Sequence, residues 1–508
     1  MNEEPLKRLP KSETNPDPPP KTRTETPEPR AKVSRIQAFI LVGLTLSVVC
    51  VLGALVVSVI ANRDRLFGES PFEQTVAQNT PSPTPSPSLT PSTTPSPTVT
   101  STPGPPTATP TLVVPPEFLN RNIIDEITGY VVNIRGLEPL QDVPSHFLTR
   151  GQLRQRLNTE YTEAVVSAAL DRNRELYVAM DLLEPAADFG TIVLDSAAQN
   201  IGGFYTPDEQ VLYLVAESVN MFASEEIVYA HEYAHALQDQ HFDLIRFLDE
   251  DINTDQAIAA RALVEGDATL VMGTYQFSEV TDRELEYIAY RASFVEREVV
   301  DAVSPSLGVL TFFPYLQGSQ FVYTLWVDSG FRWDGVNAAY RDPPVSSEQV
   351  MHPERYLIRD DPQVVTLPDL DSLLGENWRE VDRDVLGEIG LLAWLLDHLD
   401  YASAAEGAAG WDGDMYTLWL NGQGASVFVV QSVWDAPGEA AQFFETFNDY
   451  VTRRSLGVPQ LTLNEPGRRV WEYEGRATFL ARVDDQVLII FAPDRTVLDQ
   501  VRGAFPGF

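Results

Sequence analysis

Cysteine is nearly absent from this chain: Cys50 alone among 508 residues. No intramolecular disulfide can form, so the fold must be held by its core or by a bound metal. Cys50 lies inside an apolar run and reads as a small apolar side chain facing lipid. Histidine is scarce too, with six residues, and basic side chains number 36 against 73 acidic ones, a formal net charge of −37. Such a surface repels phosphate backbones and anionic headgroups, which excludes nucleic acid as an expected partner. The apolar fraction of 44% leaves enough material for a sizeable core.

Residues 1–35 have almost nothing that could form a core and read as a disordered cytoplasmic tail. Residues 36–60 contain no charged side chain and are long enough to cross roughly 30 Å of hydrocarbon as one helix. The run exceeds a signal-peptide core and has no small-residue cleavage site, so a permanent anchor is expected. Lys and Arg are concentrated on its N-terminal side, which favours a cytoplasmic N-terminus and an extracellular C-terminal part. Residues 61–116 are dominated by Pro, Ser and Thr towards their end, where repeated Pro prevents helix and sheet. They read as an extended stalk.

Folded sequence follows, and we expect an α+β architecture: a mainly helical domain at 117–401 and a small α+β unit at 402–508. Alternation over 200–217 predicts a hairpin turning at Thr206-Pro207-Asp208. Helices are expected to dominate 224–400. The apolar run 386–399 is too short to span a membrane and reads as a core helix. A Gly/Ala/Ser-rich stretch at 402–413 reads as a break. After it come strands at 415–420 and 425–434, a helix at 437–453, strands at 476–483 and 486–492, and a last helix from Asp494.

The segment 224–244, SEEIVYAHEYAHALQDQHFDL, carries the clearest chemistry. Ser224 suits an N-cap, Glu225 and Glu226 suit a first turn, and the apolar spacing predicts one helix. His231 and His235 are then one turn apart, about 40° around the helix, where two imidazoles can reach one Zn²⁺. Glu232 lies beside them, able to reach a zinc-activated water without taking a coordination position. This is the HExxH arrangement. His241, His146 and His398 lie off this pattern and read as structural, and the acidic run 248–251 reads as a solvated loop rather than a calcium site.

A catalytic zinc takes three protein ligands and keeps one open position. Asn253 and Gln256 resemble a capping pair that opens a second helix. Within it Glu265 and Asp267 both lie among apolar residues, where an unpaired carboxylate is costly. Metal ligation by one, and a hydrogen bond to a ligand histidine by the other, would remove that cost. Periodicity does not choose between them.

His231-Glu232-Tyr233-Ala234-His235 followed by Val264-Glu265-Gly266-Asp267-Ala268 resembles the gluzincin superfamily of zinc metallopeptidases, the thermolysin and peptidase MA-like enzymes. The likeness spans about residues 120–360 and is specific around the two helices; a membrane-anchored prokaryotic branch of that superfamily is implied. The resemblance implies a zincin-like catalytic domain, zinc as cofactor, Glu265 as third ligand and Asp267 in support. It also implies a peptide or protein substrate, hydrolysed by a zinc-activated water with Glu232 as general base. The interval from His235 to Glu265 is longer than in thermolysin, and Thr269 stands where thermolysin has an Asp, so a close thermolysin relative is not implied. Gluzincins place a His or Tyr opposite the metal as oxyanion partner; His352, Tyr356 and Tyr275 are the expected candidates. The 203–215 region could offer an edge strand to an extended peptide. Two other readings are a cell-surface binding or regulatory module with a non-catalytic zinc, and a stalked adhesion protein working through its C-terminal unit.

Overall fold

The computed structural model describes residues 116–508, apart from 163, 219, 249–251, 282–304, 455–458 and 474. The expected tail, the 36–60 segment with Cys50, the stalk up to residue 115 and the acidic positions 249–251 lie outside the described residues. Among the described residues no helix is long and apolar enough to cross a membrane.

The described chain is α+β. Helix α1 (Arg121–Arg135) buries Ile127, Val131 and Arg135 on one face and ends at Gly136, whose φ of 68° gives the left-handed cap that glycine adopts at low cost. Strand β1 (Ser145–Leu148) leads into α2 (Arg150–Tyr161), which opens on a Thr149–Gln152 capping box. Helices α3 (Ala164–Ala179) and α4 (Phe189–Asn200) follow. The predicted hairpin is present as β2 (Gly203–Thr206) and β3 (Val211–Val215), closed by the Gln210 amide donating to the Thr206 carbonyl at 2.7 Å. β3 pairs in parallel with β1 and antiparallel with β2, giving the order β1-β3-β2 with β2 at an edge.

Two long helices come next, α5 (Ala223–Phe242) and α6 (Thr254–Glu279), then α7 (Pro305–Asp328), α8 (Asp334–Arg341), α9 (Ser347–Met351) and α10 (Pro353–Ile358). α5 lies on the small sheet, and its Ile227, Val228 and Leu237 share a core with Leu212, Leu214 and α1. α6 and α7 cross at backbone distance. A Cβ on Gly266 would stand 2.2 Å from the Gly318 carbonyl carbon, and one on Gly318 would stand 2.2 Å from the Ala262 oxygen. Only glycine fits at such a crossing.

The C-terminal part is a seven-stranded sheet in the order β4-β5-β6-β10-β9-β8-β7, antiparallel throughout. Its strands are β4 (Trp378–Asp384), β5 (Trp411–Asn421), β6 (Ser426–Trp434), β7 (Gln460–Glu465), β8 (Arg468–Tyr473), β9 (Arg476–Val483) and β10 (Gln486–Ala492). Helices α11 (Gly387–Leu396), α12 (Tyr401–Ala408) and α13 (Pro437–Arg454) cover one face, where Trp394, Trp411, Phe428, Phe447 and Phe491 pack together. Helix α14 (Arg495–Arg502) covers the other, with Leu498 and Val501 on Val427, Val429 and Leu488. With both faces buried, β6 and β10 read as continuous apolar runs rather than alternating ones.

Three features differ from the sequence expectation. β4 belongs to this sheet although it lies upstream of the expected 401/402 boundary. Its sequence, WREVDRD, is charged because it is an edge strand. The stretch read as a break begins as α12: its alanines favour helix, and Asp400 caps it by accepting from the Ser403 amide. Strands β7 and β8 were not expected; β7 is almost wholly exposed and carries little apolar signal.

Candidate metal centre

The site grows from α5 and α6. α5 begins two residues earlier than a Ser224 cap implies: Phe222 is the cap residue, and its amide donates to Glu225 at 3.1 Å. The expected Asn253 cap on α6 is present, accepting from the Gln256 amide at 2.8 Å. The two helices pack so that residues 227–238 of α5 are all buried.

His231, His235 and Glu265 converge, each at most 3% exposed. The two Nε2 atoms are 3.0 Å apart, and each is 3.3 Å from Glu265 Oε2. Ligands about 2.0–2.1 Å from a tetrahedral ion lie about 3.3 Å from one another, so the three atoms form one face of such a tetrahedron. The group could therefore hold a metal ion. With a proton on one ring the His–His contact is an N–H···N hydrogen bond; a metal would take the place of that proton.

The three groups also act on one another's proton affinities. Burial lowers the His231 pKa. For His235, burial acts downward but the Glu265 carboxylate outweighs it, so the net direction is up. Burial acts upward on Glu265, and His235, His231 and Arg261 together hold it well below the usual carboxylate range. Glu232 stands apart. Neither of its oxygens makes a hydrogen bond of ordinary length, although the Tyr205 amide of the edge strand approaches it, and burial pushes its pKa up to about 8. A Cβ on Gly203 of the edge strand would lie 3.1 Å from Glu232 Cγ, so glycine there lets the strand approach the acid.

Of two supporting residues, Gln238 was not expected from sequence, whereas Arg261 is the residue the sequence offers as an alternative partner for the carboxylates of α6. The Gln238 amide oxygen accepts from His235 Nδ1 at 2.8 Å. Arg261 Nε lies 3.7 Å from Glu265 Oε1, the oxygen turned away from the histidines. Both sit one helical turn from a candidate ligand, at i+3 and i−4, and that spacing is the signal that could have found Gln238. Tyr315 of α7 is fully buried with its ring 6.2 Å from that of His231; no sequence pattern marked it.

Asp267 departs from the expected support of a ligand histidine. It accepts from Arg135 Nε at 2.8 Å and from the Tyr340 hydroxyl at 2.9 Å. Arg135 is wholly buried beneath the Trp333 ring and also donates to Asn337. Asp267 thus ties α1 and α8 to α6. The oxyanion candidates are elsewhere as well. His352 pairs with Glu388 at 3.1 Å, and Tyr356 donates to the Asp342 carbonyl at 2.8 Å. Their segment meets α6 at its first turn, where Asp255 accepts from the Ser347 amide. Ten residues of helix separate Asp255 from Glu265, about 15 Å of rise. Tyr275 donates to Glu226 at 3.3 Å, an equal distance along the helix in the other direction.

A domain of unknown function, DUF8575, matches residues 373–502. Its span begins just before β4 and ends with α14, so it coincides with the C-terminal sheet rather than with the metal centre. No curated protein and no solved structure matches the chain.

Proposed function

We propose that the chain is a membrane-anchored extracellular zinc metallopeptidase, with His231, His235 and Glu265 as ligands and Glu232 as general base. The observation that carries this reading is the meeting of three donors beside a buried carboxylate that makes no hydrogen bond of ordinary length. A structural zinc is usually closed by four protein groups and needs no such neighbour, whereas a hydrolytic one keeps a position open. Two histidines and a glutamate, at the spacing of a small tetrahedral ion, are a donor set of hydrolytic zinc sites. Bound there, zinc supplies a Lewis acid and lowers the pKa of water in its open position.

The chain's own groups do the rest. Burial keeps Glu232 near neutrality in proton affinity, where a carboxylate can both accept a proton and return it to a leaving amine. The α5–α6 packing excludes bulk water from the ligands, which strengthens every charge interaction there. Extracellular placement rests on the 36–60 segment and its basic N-terminal flank.

The test uses the full chain in detergent, with metal analysis and a peptide-library digest read by mass spectrometry. Glu232→Gln should keep its zinc and lose cleavage by about 10²–10⁴-fold. Zinc without cleavage by either form would sink hydrolysis and favour a non-catalytic zinc module. Full zinc in His235→Ala would overturn the ligand assignment.

A further inference from the structure

An imidazole can present only one nitrogen to a metal as a lone pair, and the other must then carry the proton. His235 Nε2 faces His231 and Glu265, so its Nδ1 must donate. The acceptor is Gln238 Oε1 at 2.8 Å. A glutamine amide is ambiguous by itself, because a flip would turn its NH₂ towards Nδ1 and favour the wrong tautomer. Here the other end decides. Gln238 Nε2 donates to the Val264 carbonyl at 3.1 Å, and a carbonyl can only accept. A flipped amide would set oxygen against oxygen there. Gln238 is fully buried, so no bulk water can relieve that clash.

The geometry points to Gln238 as the positioning residue of the metal centre: it fixes the tautomer of His235 and, through Val264, ties that histidine to the backbone from which Glu265 projects. Val264 immediately precedes Glu265, so one amide holds a ligand of α5 and the adjoining peptide of α6. The relay is Val264 carbonyl to Gln238 amide to His235 Nδ1, leaving Nε2 bare. It brings no negative charge to the site. A carboxylate in that place would raise the basicity of the histidine, whereas a neutral amide orients it and leaves Glu265 as the one anion in the group. The inference rests on the metal-binding part of the proposed function and is independent of hydrolysis.

Gln238→Met keeps the length and removes both hydrogen bonds. Gln238→Glu, protonated through its burial, keeps both an acceptor for Nδ1 and a donor to the Val264 carbonyl. The measurement is zinc affinity of the full chain by competition with a chromophoric chelator at neutral pH, with circular dichroism as a check of folding and the visible spectrum of the Co²⁺ form as a check of ligand geometry. Gln238→Met should bind zinc about 10- to 100-fold more weakly, with a changed Co²⁺ spectrum. Gln238→Glu should stay within about tenfold of wild type. Equal affinity in wild type and Gln238→Met overturns the inference. So does a Gln238→Glu loss as deep as that of Gln238→Met, since the acceptor would then not be what matters. If Gln238→Met does not fold, Gln238→Glu decides against wild type by the same tenfold limit. Absence of zinc from folded wild type instead defeats the metal reading itself, and this inference with it.

Discussion

Helix α6 carries three buried acids, and they fall into two regions of different character. Asp255 lies in its first turn, at the junction with the C-terminal sheet. It receives the Ser347 amide at 3.1 Å on both oxygens, and nearby Asp414 receives the Leu386 and Gly387 amides and the Trp411 indole at 2.9–3.0 Å. Asp267 takes two donors from Arg135 and Tyr340. Glu265, two residues away, meets two imidazole nitrogens and an arginine too distant for a hydrogen bond. Its neighbour Glu232 makes no hydrogen bond of ordinary length. Burial is the same in both regions, so burial does not mark the site. The supply of donors does. Where the chain answers a carboxylate with amide, guanidinium or hydroxyl donors, the acid is architecture; where its partners are imidazoles that can themselves hold a metal, it has room for a ligand.

That contrast can be broken most forcefully at Asp267. If it is architecture, Asp267→Ala strands Arg135 in the core and should cost about 3–5 kcal/mol in denaturant unfolding. A loss of under about 1 kcal/mol would erase the distinction from Glu265. A smaller effect is expected at the helix crossing beside the site. Gly318→Ala forces a methyl onto the Ala262 carbonyl and should cost about 1–3 kcal/mol. Unchanged stability there would mean that α6 and α7 are free to move apart.

The smallest effect is at the junction and depends on pH. Burial raises Asp255 from its ordinary 3.8 to about 8. The folded chain therefore holds a proton there that the unfolded chain releases. The contribution to stability is full below about pH 4 and is lost as pH rises through about 8. Asp414, raised to about 6 by burial, acts in the same direction. Asp255→Asn should gain steadily on wild type in Tm between pH 5 and pH 8, by up to about 5 °C. A variant that melts lower at both pH values would show that the carboxylate is needed ionised.

Much of this was legible in the sequence, and the limits have physical causes. The i, i+4 histidines, the Asn253 cap and the 206–208 turn are local patterns and appear where spacing put them. The choice between Glu265 and Asp267 was not open to periodicity, because both acids lie on apolar faces. It turns on Arg135, 132 residues away from Asp267 in sequence. His352 and Tyr356 were plausible by residue type, but α9 and α10 dock on the first turn of α6, and only the tertiary fold could say so. β4 was hidden because an edge strand gains from charge, and α12 because alanine serves helices as readily as linkers.

Arg135 also sets how the molecule answers a pull. The chain upstream of residue 116 joins the described fold through α1, and the last residue of that helix is clamped to α6 by a buried ion pair under an indole ring. Tension from that side would load α1 from its first turn, and the Arg135–Asp267 pair is where the far end of that helix is held to α6. Beyond that point the force passes into α6, the helix that presents Glu265. The entry of the chain into the described fold and the geometry of its candidate metal site thus share one mechanical element, the buried Arg135–Asp267 pair.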